Sequence, residues 1–383
     1  MFVDAILGGL SIGSVLLISA LGLAIVFGLM GVINMAHGEL MMLGAYTTFV
    51  VQNLFKGFGD GVFELYIFAA LVASFAVTAL VGLGLERGVV RYLYGRPLET
   101  LLATWGISLM LQQFVRSVNG VLAIGLVLFA GLCFGGLWVL SKRPNWQRIR
   151  VPAIATLLPV SAGVAIAAGA IAANVGKLTM TKPWFGAQNV AVTAPGWLRG
   201  GMAIANFQLP FTRLFIIGLT IACMAGLYWF LNRSTWGLRI RAVTQNRAMS
   251  SCLGIPTERV DALTFALGSG LAGLAGCGIS LLGAVGPNTG QNYIVDTFMV
   301  VVVGGVGKLV GSVVAALMIG TANFLIGSGT FAVLFQSVPP LQEFFSFFAT
   351  SSMAKVMVFS AIIVFLQVRP GGLFPQKGRS VDA

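Results

Sequence analysis

Charged residues are what this sequence most lacks. Only 9% of its 383 residues are Asp, Glu, Lys or Arg, whereas 57% are hydrophobic and the mean hydropathy is +0.94. A soluble domain carries about 25% charged residues, which cover the surface that faces water. Because so few charges cannot cover such a surface here, lipid has to be the solvent for most of the chain. We therefore predict an all-α integral membrane protein.

The residues that usually carry enzyme chemistry are also scarce. His37 is the only histidine, and the sequence has no paired carboxylates at acid–base spacing, no nucleotide-binding loop and no metal-ligand cluster. Four cysteines stand singly, at Cys133, Cys223, Cys252 and Cys277, without a disulfide framework. An enzyme is therefore disfavoured, and we expect the chain itself to bind no metal and no cofactor. If ATP drives its function, another subunit must bind the nucleotide.

Long apolar runs, by contrast, recur along the whole chain. A transmembrane helix needs about 20 apolar residues. The candidate segments are 6–30, 36–54, 65–86, 98–117, 120–140, 153–174, 209–231, 261–283, 292–306, 309–328 and 353–368. They predict a polytopic helical bundle of about eleven transmembrane segments, some of them broken or short, in a single domain over 1–383. Segment 292–306 is the short one, and for 98–117, which contains two glutamines, the alternative is a re-entrant segment.

Lysine and arginine cluster in four polar breaks, at 87–96, 142–150, 233–259 and 369–379. An excess of basic residues marks the cytoplasmic side of a membrane protein. This rule places the N-terminus outside and the C-terminus inside, which requires an odd number of crossings. The net charge of +12 then reflects topology and contact with anionic membrane lipid, so we expect no nucleic-acid partner.

Two polar islands interrupt the apolar segments. The first is "GLMGVINMAHGELMMLGAY" at 28–46, and the second is "GPNTGQNYIVDTFMVVVVGGVGKLVG" at 286–311. Non-helical backbone and ionisable groups at membrane depth are tolerated where they line a cavity or are buried in protein, and glycine- or proline-interrupted segments in the two halves of a chain indicate a transport site. The candidate pathway residues are Asn34, His37, Glu39, Asn288, Gln291, Asn292 and Asp296.

Structural roles are the alternative for three of these side chains. His37 and Glu39 would hold two helices together through a buried hydrogen bond. Asp296 would accept a hydrogen bond from a helix end. Residue pattern alone does not choose between these roles and contact with a solute.

The long polar connection at 231–264 contains one helix-compatible stretch, 241–252. Gly254 and Pro256 close it, and Thr257 has the position of an N-cap for the next helix. A short helix between two membrane segments suits the docking of a cytoplasmic partner. The alternative is a basic loop that only sets the topology.

Several long motifs, in order, carry a family resemblance. They are "GLMGVINMAHGELMMLGAY", "ERGVVRYLYGRPLETLLATWGISLMLQQ", "FGAQNVAV", "RAVTQNRAMSSCLGI" and "VVVVGGVGKLVGS". Over about 1–118 and 185–383 the chain resembles the permease subunits of branched-chain amino-acid ATP-binding-cassette (ABC) importers, and within that family the urea transporter permeases.

The resemblance implies a multi-pass subunit of the bacterial inner membrane. Its partners would be a homologous second permease subunit, two ATP-binding subunits and a periplasmic solute-binding protein. The connection at 232–261 would be the cytoplasmic coupling loop that docks on an ATP-binding subunit. The coupling residues implied are Arg241, Asn246, Arg247, Ala248, Gly254 and Pro256.

One stretch departs from the family pattern. At 119–184 some 65 residues stand where the family's motifs would follow almost directly, and they predict an extra helical hairpin of two crossings. An even number of added crossings leaves the orientation of everything downstream unchanged.

Three functions remain at this stage, and the sequence favours the first, an ATP-driven importer permease for urea or a close small amide. A path lined by Asn, Gln and backbone carbonyls suits urea or a close small amide, which is neutral and rich in hydrogen-bonding groups. A branched-chain amino-acid importer would use the same machine. A self-sufficient channel or secondary carrier belongs to another class, and Glu39 and Asp296 would then have to serve as its coupling acids.

Overall fold

The computed structural model describes residues 2–142, 146–175, 182–186, 188–204, 207–336 and 339–374. The chain forms two compact units, Met1–Leu109 with Val190–Ala383, and Met110–Asn189. Both are built mainly of helices. The parts of the predicted hairpin at 143–145 and 176–181 lie outside the described residues.

The α-helices follow one another along the chain with short connections. They are α1 (Phe2–Met30), α2 (His37–Lys56), α3 (Asp60–Phe63), α4 (Tyr66–Gly88), α5 (Pro97–Ser117), α6 (Gly120–Ser141), α7 (Trp146–Val175), α8 (Phe211–Arg233), α9 (Thr235–Gln245), α10 (Arg247–Cys252), α11 (Thr257–Leu282), α12 (Thr289–Gly304), α13 (Leu309–Gly327), α14 (Thr330–Leu334), α15 (Pro339–Phe347) and α16 (Ser351–Val368). Two 3₁₀ turns lie at Val90–Leu93 and Gly196–Leu198.

Helix α1 forms the centre of the larger unit. It is apolar on all sides, as expected of a helix surrounded by others, and it packs against α8, α11, α12 and α13. Small residues permit the closest of these contacts: Gly320 of α13 lies against Gly13 of α1, and Gly268 of α11 lies against Gly22. Close backbone approach of this kind drives helix association in lipid, where the hydrophobic effect between helices is absent.

Every predicted apolar segment falls on a helix, but not every helix could cross a membrane alone. Among the described residues, six helical stretches are long and apolar enough: Ile6–Met30, Tyr66–Gly88, Gly120–Leu137, Phe211–Arg233, Thr257–Leu282 and Leu309–Gly327. The bent pair Pro340–Phe347 and Ser352–Val368, at 105°, adds a seventh if it counts as one span. The chain is thus a multi-pass membrane protein, while eleven crossings and their orientation stay predictions.

Several predicted segments do not meet this requirement of length and apolar composition. Helix α2 begins with His37 and Glu39, and α12 has only 16 residues. Helix α5 is unbroken over 97–117, so the described chain does not turn back at its glutamines.

In the smaller unit, α6 and α7 pack against each other as an antiparallel pair. Asn119 caps α6, its Oδ1 accepting a hydrogen bond from the Leu122 amide at 2.8 Å. Further along, Gly136 of α6 contacts Leu157 of α7, and Gly125 lies beside Ala165. The two predicted segments of the 119–184 stretch are therefore both helical where the structure describes them.

One connection of the larger unit contains two short strands. Strands β1 (Gly201–Ile204) and β2 (Phe207–Pro210) form an antiparallel pair in which Gly201 lies opposite Pro210. The hairpin leads directly into α8, whose N-cap position is Pro210. Hairpin pairing satisfies backbone groups of a connection that has no helix to satisfy them.

Candidate functional site

The first polar island breaks the chain between α1 and α2. Gly31 closes α1 with φ at +68°, a conformation that favours glycine, and its amide donates to the Phe27 carbonyl at 3.0 Å. The following residues up to Asn34 form no helix or strand, and Asn34 Oδ1 accepts a hydrogen bond from the Ala36 amide at 3.1 Å. Asn34 thereby turns the chain into α2, which begins at His37.

Helix α2 begins in the middle of the bundle. His37 is fully buried, and its Nε2 lies 3.0 Å from the carbonyl oxygen of Ser19. Ser19 precedes the end of α1 at Met30 by eleven residues, which is roughly 16 Å along a helix axis. The residues that connect α1 to α2 therefore run back along α1, and the N-terminal end of α2 lies at depth, surrounded by protein.

Glu39, in the first turn of α2, faces helix α5. Its Oε1 accepts a hydrogen bond from Ser108 Oγ at 3.2 Å, and it is 1% exposed. One helical turn earlier on α5, Thr104 Oγ1 accepts from the Met35 amide at 3.1 Å. Thr104 and Ser108 were not among the residues predicted from the sequence. Their spacing of four on a helix was the available signal, because it places both hydroxyls on one face.

The two predicted polar islands meet in the structure. Gly38 of α2 lies against the backbone carbonyl of Gly290 in the first turn of α12. A methyl group at Gly290 would come within 2.6 Å of Glu39 Oε2. Deeper along α12, Thr297 Oγ1 lies 3.0 Å from Ser19 Oγ, so the carbonyl and hydroxyl of Ser19 contact both islands.

Within the first island, the hydrogen bonds of Asn34 differ from those of His37 and Glu39. His37 and Glu39 each hydrogen-bond to another helix, as the structural alternative predicted. Asn34 is 2% exposed, and its Nδ2 has no hydrogen-bond partner within the described part of the chain. His37 Nδ1 is likewise buried without a hydrogen-bond partner among the described residues. A buried polar atom without a partner is costly, so both atoms are candidates for contact with a solute.

The second island divides into an exposed and a buried part. Asn288, Gln291 and Asn292 are exposed at the start of α12. Asp296, one turn further, is 2% exposed and forms an ion pair with Lys355 of α16, with Nζ 2.7 Å from Oδ2. The alternative prediction for Asp296, a hydrogen bond to a helix end, does not describe this contact. Lys355 was missed, although it is the only charged residue of α16.

A cavity of about 580 Å³ lies beside this ion pair, between α1, α12, α13 and α16. Asp296 and Lys355 line it together with Asn292, Asn323 and Ser352. The second island therefore borders an open volume in the larger unit.

The predicted coupling residues lie at the ends of α9, α10 and α11. The expected single helix over 241–252 is wrong, because Asn246 is extended and separates α9 from α10. Asn246 Oδ1 instead caps α10 by accepting from the Met249 amide at 2.9 Å. Arg241 donates to Asn232 Oδ1 at 3.3 Å, and Ala248 is exposed.

The end of α10 follows the predicted stop signals more closely. Gly254 has φ at +79°, so the chain turns there in a glycine conformation. Pro256, not Thr257, occupies the N-cap position of α11, and no side chain caps this helix end. The prediction that Thr257 caps the helix is therefore wrong, and the reason is that Thr257 is itself the first helical residue.

Arg247 connects this loop to two neighbouring parts of the larger unit. Its guanidinium forms an ion pair with Asp261 of α11 at 2.6 Å and lies 5.0 Å from the ring centroid of Tyr94. Tyr94 in turn donates to Glu86 Oε1 of α4 at 3.1 Å. Burial, together with the nearby Glu86 carboxylate, raises the pKa of Tyr94, so the phenol keeps the proton that it donates.

Comparison with known proteins supplies the context for these features. The sequence matches the family described as "Branched-chain amino acid transport system / permease component" over residues 5–120 and 106–366. The high-affinity branched-chain amino acid transport system permease protein BraD of Pseudomonas aeruginosa is 27% identical over 324 residues, which cover 84% of this chain and 85% of BraD.

Two further relatives are also permease proteins. The high-affinity branched-chain amino acid transport system permease protein LivH of Escherichia coli K12 is 25% identical over 326 residues, 85% of either chain. The ribose import permease protein RbsC of Bacillus subtilis is 27% identical over 278 residues, 69% of this chain and 82% of RbsC. No solved structure matches the chain.

Proposed function

The chain belongs to the family of branched-chain amino acid transport system permease components, and from this premise we propose that it forms the membrane pathway of an ATP-driven importer of branched-chain amino acids. The proposal rests chiefly on one observation, the contact between Gly38 and Gly290 that joins the two broken segments. Transport sites are built where discontinuous helices from the two halves of a chain meet at depth. Asn34, four residues before Gly38, supplies an amide donor that has no hydrogen-bond partner among the described residues.

In this proposal, other subunits bind and hydrolyse ATP. One of two ATP-binding subunits docks on the coupling loop at 232–261, a homologous second permease completes the pathway, and a periplasmic binding protein delivers the solute. Closure of the ATP-binding subunits moves α10, and the motion reaches α11 and α4 through Arg247, Asp261 and Tyr94. The pathway then opens outward, and hydrolysis returns it to the inward state, in the bacterial inner membrane.

The names of the relatives favour amino acids as the solute. BraD and LivH are both named for branched-chain amino acid transport, whereas urea or a small amide rests on the sequence motifs alone. Urea uptake is therefore kept as the alternative outcome of the test. A channel or secondary carrier is the outcome from another class.

The test is uptake of labelled leucine and labelled urea by whole cells. The intact strain is compared with a deletion of this gene and with a complemented strain whose partner ATP-binding subunits carry inactive P-loops. Loss of leucine uptake in the deletion, restored only when the ATP-binding subunits are active, supports the proposal. Loss of urea uptake alone would reassign the solute, and restoration with inactive P-loops would overturn the ATP-driven mechanism.

A further inference from the structure

The cavity between α1, α12, α13 and α16 has a position suited to a solute arriving from outside. It lies at the C-terminal end of α13 and the N-terminal end of α16, where Ser328 and Ser352 line it. The coupling loop lies at the other ends of the neighbouring helices, before the start of α11. Under the predicted orientation, the cavity therefore occupies the outer half of the larger unit. Its volume of about 580 Å³ is within the range of small-molecule sites, about 300–1,000 Å³.

Two opposite charges line this cavity side by side. The carboxylate of Asp296 accepts from Lys355 Nζ at 2.7 Å through Oδ2, while its Oδ1 has no hydrogen-bond partner within the described part of the chain. Lys355 Nζ also donates to the Asn292 carbonyl at 3.0 Å and lies 5.5 Å from the Tyr293 ring centroid. Buried ionisable groups are expensive, and in transport proteins they tend to mark solute sites.

The other residues that line the cavity are partly polar and partly apolar. Asn292, Asn323, Ser328 and Ser352 place polar groups around the charges, whereas Ile12 and Phe324 contribute apolar surface. A ligand that matches this cavity therefore carries a positive and a negative group close together, and an apolar part beyond them.

We propose that this cavity is a binding site for the zwitterionic head of an apolar α-amino acid, with Lys355 binding the carboxylate and Asp296 the ammonium. The inference rests on the proposed function and identifies the site at which the transported solute binds. The ammonium supplies the donor that Asp296 Oδ1 lacks. One internal ion pair is exchanged for two pairs with the ligand, so no charge stays uncompensated.

This exchange also provides selectivity. Urea and other neutral amides can hydrogen-bond to Asn323 or Ser352, but they carry no charges with which to separate Asp296 from Lys355. Asp296 is buried and the Lys355 side chain is 33% exposed, so separating the pair without replacing both partners leaves the buried Asp296 charge uncompensated. The pair therefore favours zwitterions over neutral solutes of similar size.

The first experiment measures leucine uptake by the complete importer in proteoliposomes. In the double variant D296N/K355Q, both charges are gone but hydrogen bonding remains, and we expect uptake to fall at least tenfold. The reversed variant D296K/K355D keeps an ion pair but exchanges its positions relative to the apolar wall, and we expect it to stay as impaired. The control is R96Q/E99Q, which removes an exposed ion pair of 3.1 Å elsewhere in the chain and should transport normally.

The outcomes distinguish a binding site from an ion pair that only holds α12 and α16 together. Uptake by the reversed variant within twofold of wild type would show that the ion pair is purely structural and would overturn the proposal. Normal uptake by D296N/K355Q would overturn it as well. If the wild-type importer does not transport leucine at all, the proposed function itself fails. Wild-type transport with unaffected variants removes only the binding site.

A second measurement avoids variants of the charged pair, which could fail to assemble. Ser352→Cys places a thiol in the cavity wall, and its maleimide labelling rate is measured on the complex in nanodiscs, with the parent chain as background. Leucine should slow labelling at least fivefold, and urea should not. Equal rates with and without leucine, in a complex that transports leucine, would overturn the proposal.

Discussion

Gly38 and Gly290, which are far apart in sequence, pack backbone to backbone, and the carboxylate of Glu39 lies against the same point of α12. The contact joins the N-terminal ends of two helices, α2 and α12, within the bundle. Neither glycine can be replaced by a larger residue without moving a helix. This junction is therefore the point at which the two polar islands meet in the structure.

The Gly38→Ala variant tests that junction. A methyl group at Gly38 would overlap the Gly290 carbonyl, and overpacking a tight contact costs about 1–3 kcal/mol. We expect a lower unfolding temperature in detergent and reduced uptake. Gly84→Ala is the matched control, because nothing lies within 4 Å of its added methyl group. Equal stability of the two variants would show that the junction is loose.

The Asn34→Ser variant tests the free amide of the first island. A serine hydroxyl can accept the Ala36 amide as Asn34 Oδ1 does, but it cannot replace the unpartnered Nδ2 donor. One hydrogen bond contributes about 0.5–1.5 kcal/mol, so we expect uptake to fall about two- to tenfold while assembly is unchanged. Asn34→Leu removes both groups and should transport less than Asn34→Ser. Full uptake by the serine variant would contradict a lining role for the amide.

Arg247 is expected to transmit motion from the ATP-binding subunits. Arg247→Glu places a like charge beside Asp261 and removes the contact with the Tyr94 ring. We expect the assembled importer to hydrolyse ATP without transport, measured as uptake per ATP hydrolysed in proteoliposomes. Arg247→Lys keeps the charge and should retain most of the coupling. The reversed pair R247E/D261R should recover part of it, and normal coupling in Arg247→Glu would refute the assignment.

Gly254 provides an independent test of the coupling loop. With φ at +79°, this position accepts glycine and tolerates asparagine, whereas a β-branched residue is strained there. Gly254→Val should therefore lower uptake per ATP hydrolysed, and Gly254→Asn should not. Similar values for the two variants would mean that the backbone turn has no part in coupling. Membrane levels of both variants provide the control for expression.

The sequence by itself determined the solvent, the secondary structure and the family of this protein. Scarce charge and long apolar runs require lipid, and each of the eleven apolar runs is helical in the structure. The glycines and polar residues near Asn34 and Asn288 also mark the places where helices break, because local backbone preference depends on neighbouring residues only.

The partners of the polar groups were decided by tertiary structure alone. Periodicity shows that Lys355 and Asp296 each belong to a helix, but not that α16 packs beside α12 so that Nζ lies 2.7 Å from Oδ2. The same holds for Ser108 beside Glu39. In lipid, helices associate through shape and through a few polar contacts between residues distant in sequence. Which polar groups meet is therefore a property of the packed bundle and not of any one segment.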